Sequence, residues 1–303
     1  MERLFLKWLQ SHIGASEEVV LGPTDDAALV DFESGEHAVL STDMLMDGVD
    51  FVCSDHDLAL VGRKCMAVNL SDIAAMGAKP KYALVSLSIP YSWSAADTQK
   101  LMEGILGIAR NYGAHVVGGD TNRWKHPLAV SITAIGTVAV GEAWCRQGAR
   151  VGDRLVVTGP CGGSILGKHL EFSPRIPEAD WLSQKTGVHA AIDVSDGLAW
   201  DTFQLATASG VGVVLNQEDI PITPAARDLA RESEKTPLHH ALNDGEDFEI
   251  VMAINPQSFL SISRDWPFEQ PLIDFGEVVE NPGFWIRQTD GSLVNCDPGG
   301  YEH

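Results

Sequence analysis

The stretch from residue 64 to 78, KCMAVNLSDIAAMGA, carries much of what the sequence says about the fold. Residues 57–76 have apolar side chains near helical spacing, which predicts a helix. The apolar positions are Leu60, Cys65, Val68, Ile73 and Met76. Asp72 falls inside this helix and not at its start, so N-capping, the usual reason for an aspartate at a helix, does not explain it. Asp72 is therefore a candidate functional residue.

Strands and helices alternate on both sides of this helix. Residues 1–13, 94–112, 197–208 and 224–234 read as helices. Strands are predicted at 27–30, 37–41, 82–89, 115–117, 128–140, 154–158, 189–194, 211–216, 248–254, 273–278 and 283–286. This mixture predicts an α/β (α+β) fold. A polar connector at 146–153 divides it into an N-terminal domain, 1–140, and a C-terminal domain, 146–303.

Length and charge narrow the class of protein. The chain has 303 residues, enough to favour two domains, and a formal net charge of −21. That charge argues against nucleic acid and anionic membrane surfaces as partners. Five dispersed cysteines, none in a C-x-x-C pair, argue against a disulfide framework and a zinc site. The chain has no apolar run of about 18 residues, so we expect no membrane span and a cytoplasmic location.

Aspartates recur at predicted turns and strand ends, often beside hydroxyl side chains. The motifs are Thr24-Asp25-Asp26, Ser41-Thr42-Asp43, Asn69-Leu70-Ser71-Asp72, Gly118-Gly119-Asp120 and Asp193-Val194-Ser195-Asp196. Any one alone is better explained as a turn or helix cap. Asp193, however, follows the apolar run 190–192, and a buried carboxylate favours a cation as its partner. Together the motifs predict Mg²⁺ held by carboxylates and bridged by ATP phosphates.

Other motifs carry less information. Glycine-rich loops at 118–120 and 159–164 can bring backbone close to a phosphate, but neither matches a P-loop or a dinucleotide fingerprint. An ordinary tight turn explains the second loop equally well. The ten histidines show no metal-ligand spacing, and we expect them at the surface.

In their order along the chain, these motifs resemble those of the thiamine-monophosphate kinase family. The resemblance rests on GPTDDAA at 22–28, STDML at 41–45, the stretch 64–78, GGDT at 118–121, IDVSDGL at 192–198 and DGEDFE at 244–249. The blocks at 69–78 and 193–198 are shared with a wider superfamily that includes aminoimidazole-ribonucleotide synthetase. The block at 244–249 and the terminal Gly300-Tyr301 single out the kinase.

The resemblance implies a homodimer and a reaction. An N-terminal α/β domain pairs with its twin and forms the ATP cleft, and a C-terminal α+β domain closes over it. ATP would phosphorylate thiamine monophosphate directly, in line and with Mg²⁺, giving thiamine diphosphate and ADP. Two departures stand out, because Asp50 occupies a position where the family usually has histidine and Asn243-Asp244 replaces the usual glycine opening of its block.

The resemblance also implies roles for individual residues. Metal positions are Asp26, Ser41, Thr42, Asp43, Asp72, Asp120, Asp193 and Asp196, of which Asp72, Asp120 and Asp196 would be catalytic. ATP-contacting positions are Gly119, Asp120, Arg146 and Ser195, and substrate-contacting positions are Asp50, Glu246 and Tyr301. A forked guanidinium suits phosphate, and a carboxylate or an aromatic ring suits a cationic thiazolium.

Two alternatives remain open at this point. The chain could be another ATP-using member of the superfamily, of the ribonucleotide synthetase type, which would release free phosphate. It could also be a non-catalytic relative that binds ATP without turnover.

Overall fold

The computed structural model describes residues 19–21, 25–31 and 35–300. The helix predicted at 1–13 and the residue Tyr301 lie outside these ranges. The described residues form two sheets, one built from strands before residue 140 and the other from strands after residue 153. The prediction of a mixed α/β fold is confirmed.

The first sheet has six strands in the order β1-β2-β3-β6-β4-β5. Their bounds are β1 Val19–Leu21, β2 Ala28–Asp31, β3 Glu36–Met46, β4 Lys79–Pro90, β5 His115–Trp124 and β6 Ala129–Ala139. The strands predicted at 27–30 and 37–41 form the antiparallel pair β2–β3. However, β3 runs to Met46 and β5 runs to Trp124, so Asp43 and Asp120 lie within strands and not after them.

Two helices cover one face of this sheet, α1 (Leu58–Ala75) and α2 (Ala95–Asn111). Both match the predicted helices, and α2 begins with a capping box formed by Ser94 and Asp97. Their core partners on β4 are Ala83, Val85 and Leu87, which alternate with exposed residues. The two helices cross closely at Gly62 and Gly104, where a Cβ atom would come within about 2 Å of the other helix's backbone.

The second sheet has seven strands in the order β13-β12-β9-β11-β7-β10-β8. Their bounds are β7 Arg154–Val157, β8 Val188–Asp193, β9 Gly212–Asn216, β10 Ile250–Ile254, β11 Ile273–Val279, β12 Gly283–Arg287 and β13 Leu293–Asn295. The pairs are antiparallel except β12–β9, which is parallel.

Six further helices belong to this second half. They are α3 Lys168–Glu171, α4 Ile176–Ser183, α5 Leu198–Ser209, α6 Pro224–Glu232, α7 Pro237–Asn243 and α8 Pro256–Asp265, with a 3₁₀ turn at Ser164–Leu166. The predictions include α5 and α6 but not α4, α7 and α8. No helix in the described ranges has the length and apolar character that crossing a bilayer demands.

Helix α1 is the element on which the two halves meet. Its Arg63 donates hydrogen bonds to the carbonyl oxygens of Leu170 and Phe172, and its Ser71 donates one to Asp193. The second half therefore rests along the same helix that covers the first sheet.

Candidate active site

Three carboxylates from three separate motifs converge between the two halves. Asp26 precedes β2, Asp72 lies in the last turn of α1, and Asp193 ends β8. One oxygen from each lies within 4.8 Å of the others. Folding thus brings together residues 46 and 121 positions apart in the sequence.

The cluster opens into a cleft of about 370 Å³. Eight residues that the sequence analysis assigns to metal or ATP line it: Asp26, Ser41, Thr42, Asp43, Asp72, Arg146, Asp193 and Ser195. Asp25 and Leu40 complete part of the wall. Most of the predicted site therefore meets in one place.

Hydrogen bonds from neighbouring side chains orient these carboxylates. The Ser41 hydroxyl donates to Asp72, and the Ser71 hydroxyl donates to Asp193 Oδ2 at 2.6 Å. The backbone N–H of Asp43 donates to Asn69 Oδ1 at 3.2 Å, which ties β3 to α1. The polar side of α1 thus orders residues from both sheets.

Arg146 supplies the positive charge in the cleft. Its Nη2 donates to Asp26 Oδ1 at 2.6 Å, and its backbone N–H donates to Asp25 Oδ2 at 2.8 Å. The guanidinium is mostly buried, with 24% of its side chain exposed. A forked cation in this setting can contact a phosphate oxygen as well as a carboxylate.

Burial and mutual repulsion perturb the carboxylates strongly. Burial raises the pKa of Asp72 well above its ordinary value, and the neighbouring carboxylates raise it further. Burial, with Asp26 adding to it, raises the pKa of Asp193 to about 8. Burial likewise raises the pKa of Asp26, although Arg146 opposes that rise. These groups resist losing their protons until a cation arrives to balance the charge.

The donor set fits a hard divalent cation. It consists of carboxylate and hydroxyl oxygens, the ligands that Mg²⁺ prefers. Asp26 Oδ2 is buried and accepts no hydrogen bond from the residues that the structure describes. An oriented, buried oxygen of this kind is suited to a metal ion, and no cysteine or histidine lines the cleft among the described residues.

A further carboxylate supports the loop that follows β8. Asp201 Oδ2, in α5, accepts hydrogen bonds from the backbone N–H groups of Asp196 and Gly197, both at 3.0 Å. Burial raises the pKa of Asp201 well above its ordinary value. Asp201 is not among the predicted site residues, although an acidic residue in the first turn of a helix is a recognisable sign of such support. Asp196 itself does not line the cleft.

Gly119 and Asp120 lie away from this cluster in the same chain. The ladder Asp43–Ile132–Val85–Gly119 crosses three strand pairs, about 14 Å along the sheet. Asp120 is exposed and projects from the sheet face opposite to Asp43, since their rows alternate. One chain therefore does not bring Asp120 to the carboxylate cluster.

The predicted substrate residues meet at a lysine that the sequence analysis missed. Lys64 Nζ donates to Glu246 Oε1 at 2.5 Å and to the carbonyl oxygen of Asp50 at 2.7 Å. The Asp50 carboxylate turns back to accept from the N–H of Met46 at 2.7 Å. Tyr301 lies outside the described residues. A lysine inside an apolar helical stretch was the available signal, but its partner is 182 residues away.

The expectation that all histidines lie at the surface is wrong for three of them. His37, His169 and His240 are buried. His169 Nδ1 lies 2.9 Å from the carbonyl oxygen of Ser164, and His240 contacts Asp244. Hydrogen bonds to neighbouring groups make the burial of His169 and His240 possible.

Comparison with known proteins identifies the family. The model of the AIR synthase related protein N-terminal domain matches residues 24–138, and that of the C-terminal domain matches residues 150–286. Together they cover most of the chain, so the fold and site define an AIR synthase related protein.

Individual relatives narrow this further. The chain is 40% identical to the thiamine-monophosphate kinase of Rhodopirellula baltica over 100% of this chain and 97% of that protein. It is 33% identical to the Escherichia coli thiamine-monophosphate kinase over 94% of this chain and 92% of that protein. The solved structure of AaThiL complexed with AMPPCP and TMP superposes on this chain with a TM-score of 0.83 at 26% identity. The match covers 100% of this chain and 95% of the AaThiL chain. The chain belongs to the thiamine-monophosphate kinase family, and it is an enzyme.

Proposed function

We propose that this enzyme transfers the γ-phosphoryl group of ATP directly to the phosphate of thiamine monophosphate, giving thiamine diphosphate and ADP. The ligands of AaThiL, AMPPCP and TMP, support ATP as the donor and thiamine monophosphate as the acceptor. Because ATP is the co-substrate, we propose that the reaction takes place in the cytoplasm.

The observation that carries the proposal is the convergence of Asp26, Asp72 and Asp193 beside Arg146. These carboxylates would hold Mg²⁺, with Ser41, Thr42 and Asp43 beside them. Bound Mg²⁺ would neutralise the triphosphate and stabilise the charge that develops on the transferred group.

The protein's own groups then do the positioning. Arg146 would contact a phosphate of ATP, and Ser195 would contact the nucleotide from the loop after β8. Asp72 would act through the metal site. Asp196 does not line the cleft in this chain, and we propose that it acts through the same site from the loop after β8. The acceptor phosphate is already an anionic nucleophile, so no strong base is required, and catalysis consists of alignment and electrostatics.

The test is a direct assay of purified protein with ATP, Mg²⁺ and thiamine monophosphate. We expect thiamine diphosphate and ADP in equal amounts. Release of free phosphate without thiamine diphosphate would instead favour a ribonucleotide synthetase type of reaction. ATP binding without turnover on any acceptor would favour a non-catalytic relative.

We also propose that the enzyme is a homodimer through the uncovered face of the first sheet. Met44, Met46, Tyr82 and Leu84 are exposed on the face that α1 and α2 do not cover. An apolar patch of this kind on a sheet favours burial against another surface. A second copy packed there would bring Asp120 of the partner subunit towards Thr42, which is exposed on the same face. Gly119 and Asp120 would then take their metal and ATP roles across the interface.

The oligomeric state tests this arrangement. Met44→Glu places a charge on a side chain that is 62% exposed at the proposed interface, and we expect monomers by light scattering after gel filtration. Leu260→Glu, at a side chain that is 72% exposed on α8, is the matched control and should leave the dimer intact. A wild-type monomer at micromolar concentration would contradict the proposal.

A further inference from the structure

Helix α1 contacts two loops of the second half at points one heptad apart. Ser71 contacts Asp193 at the end of β8, and Lys64 contacts Glu246 in the loop before β10. Seven residues of helix separate these contacts by about 10 Å along its axis and place them on nearly the same side.

The two loops are themselves joined. The N–H of Glu246 donates to the carbonyl oxygen of Ser195 at 2.7 Å, and the N–H of Phe248 donates to that of Val194 at 2.8 Å. Glu246 is therefore tied to the strand end that carries Asp193. The helix and the paired loops therefore set the separation between the Asp193 carboxylate and the Glu246 carboxylate.

Glu246 combines an unusual backbone conformation with a side-chain contact to Lys64. Its backbone has a φ of +53°, which residues other than glycine rarely adopt. The Lys64 side chain is completely buried, whereas that of Glu246 is 35% exposed and so is accessible to a ligand. A buried ammonium needs oxygen partners, and among the described residues Lys64 has two, the Glu246 carboxylate and the Asp50 carbonyl group. The lysine thus joins α1, the turn after β3 and the Glu246 loop.

We infer that Lys64 is the positioning residue for Glu246 and thereby sets the preference of the enzyme for a cationic acceptor. Resting on the proposed function, the inference is that Glu246 faces the cationic ring while the acceptor phosphate lies at the metal carboxylates. Lys64 acts through Glu246 by holding its carboxylate in one orientation, at a fixed distance from Asp193. It does not touch the transferred phosphoryl group.

A double-mutant cycle tests the inference. The variants are Lys64→Met, Glu246→Gln and the double variant, assayed with thiamine monophosphate and with a neutral analogue whose thiazolium is replaced by an uncharged ring. For Lys64→Met we expect the KM for thiamine monophosphate to rise about tenfold, with kcat within about threefold and the KM for ATP unchanged. In the Glu246→Gln background, Lys64→Met should change that KM less than twofold, because the group it positions is gone.

The neutral analogue separates positioning from general damage. Wild type should prefer the cationic acceptor, and both single variants should lose that preference to the same degree. If the melting temperature of Lys64→Met is far below that of wild type, Lys64→Gln replaces it, because glutamine keeps a hydrogen-bond donor for the Asp50 carbonyl group. The inference would be overturned if Lys64→Met raised the KM for thiamine monophosphate equally in the wild-type and Glu246→Gln backgrounds. It would also be overturned if Lys64→Met raised the KM for ATP as much as the KM for thiamine monophosphate. Absence of thiamine diphosphate from wild type would instead refute the proposed function.

Discussion

The Ser71 hydroxyl on α1 donates a 2.6 Å hydrogen bond to Asp193 Oδ2 at the end of β8, and both groups are buried. This bond links the helix that covers the first sheet to the second sheet at the point where the candidate metal ligands converge. Orientation of the cluster and contact between the two halves therefore depend partly on the same side chain.

Replacing Ser71 with alanine should affect both properties. Loss of the hydrogen bond raises the pKa of Asp193 further, because that bond lowers it in the native protein. We expect the Mg²⁺ affinity to fall about tenfold and the free energy of unfolding to fall by about 1 kcal/mol. Calorimetric titration and denaturant unfolding measure the two effects. Ser261→Ala, at an exposed serine of α8, is the control and should change neither.

Replacing Asp72 with asparagine should separate activity from stability. Turnover should fall at least about 100-fold, because the proposed metal site loses a charged ligand. The metal-free protein should become more stable at pH 8, because the raised pKa of Asp72 means that folding opposes its ionisation, whereas asparagine has no proton to lose. In the presence of a chelator, we expect the melting temperature of Asp72→Asn to lie about 2–4 °C above that of wild type, which corresponds to a gain of about 1 kcal/mol in the free energy of unfolding.

Asp228→Asn, at an exposed residue on α6, is the matched control for this prediction. Asp228→Asn should leave turnover and melting temperature at wild-type values. Wild-type activity of Asp72→Asn at limiting Mg²⁺ would show that the assigned metal role is wrong.

The stability of the metal-free protein should depend on pH with a defined sign. The pKa of Asp193 is about 8 in the folded protein against an ordinary value of 3.8, so the folded state holds the proton more tightly. The stability that this proton contributes is complete below about pH 4 and is lost as pH rises towards 8. Because a metal must displace the proton, the Mg²⁺-induced rise in melting temperature should grow from pH 6 to 8.5. Melting temperature measured in chelator as a function of pH checks this prediction. Asp193→Asn should make that dependence flatter, and a wild-type melting temperature that rises from about pH 4 to 8 would contradict the prediction.

Local patterns predicted the long elements well. Helix α1 spans Leu58–Ala75 against a prediction of 57–76, because its apolar residues recur over five turns. The capping box of α2 needs only Ser94 and Asp97, three positions apart. The order of the aspartate motifs likewise pointed to a shared site, and the cleft brings most of those residues together.

Features that depend on strand order or distant partners could not be predicted. The distance of Asp120 from the cluster follows from the order β3-β6-β4-β5, and its place on the opposite sheet face follows from the register of those strands. No local pattern encodes either one. Lys64 is buried against two partners, the Asp50 carbonyl group and the Glu246 carboxylate, and neither is indicated by the sequence around it. Helices α7 and α8 did have a local signal, because each begins with a capping residue, Thr236 or Asn255, that is followed directly by proline. Their apolar patterns are too short to predict a helix by periodicity.

Two glycines of α2, one turn apart, should respond oppositely to alanine. A Cβ at Gly104 would lie 1.9 Å from the carbonyl oxygen of Ala59 on α1, so the helices would have to separate. A Cβ at Gly107 meets nothing within 4 Å among the described residues. We expect Gly104→Ala to lower the free energy of unfolding by about 3 kcal/mol or more and Gly107→Ala to raise it by about 0.5–1 kcal/mol. Urea unfolding measures both. Equal responses would mean that helix propensity, and not the crossing of α1 with α2, governs this site.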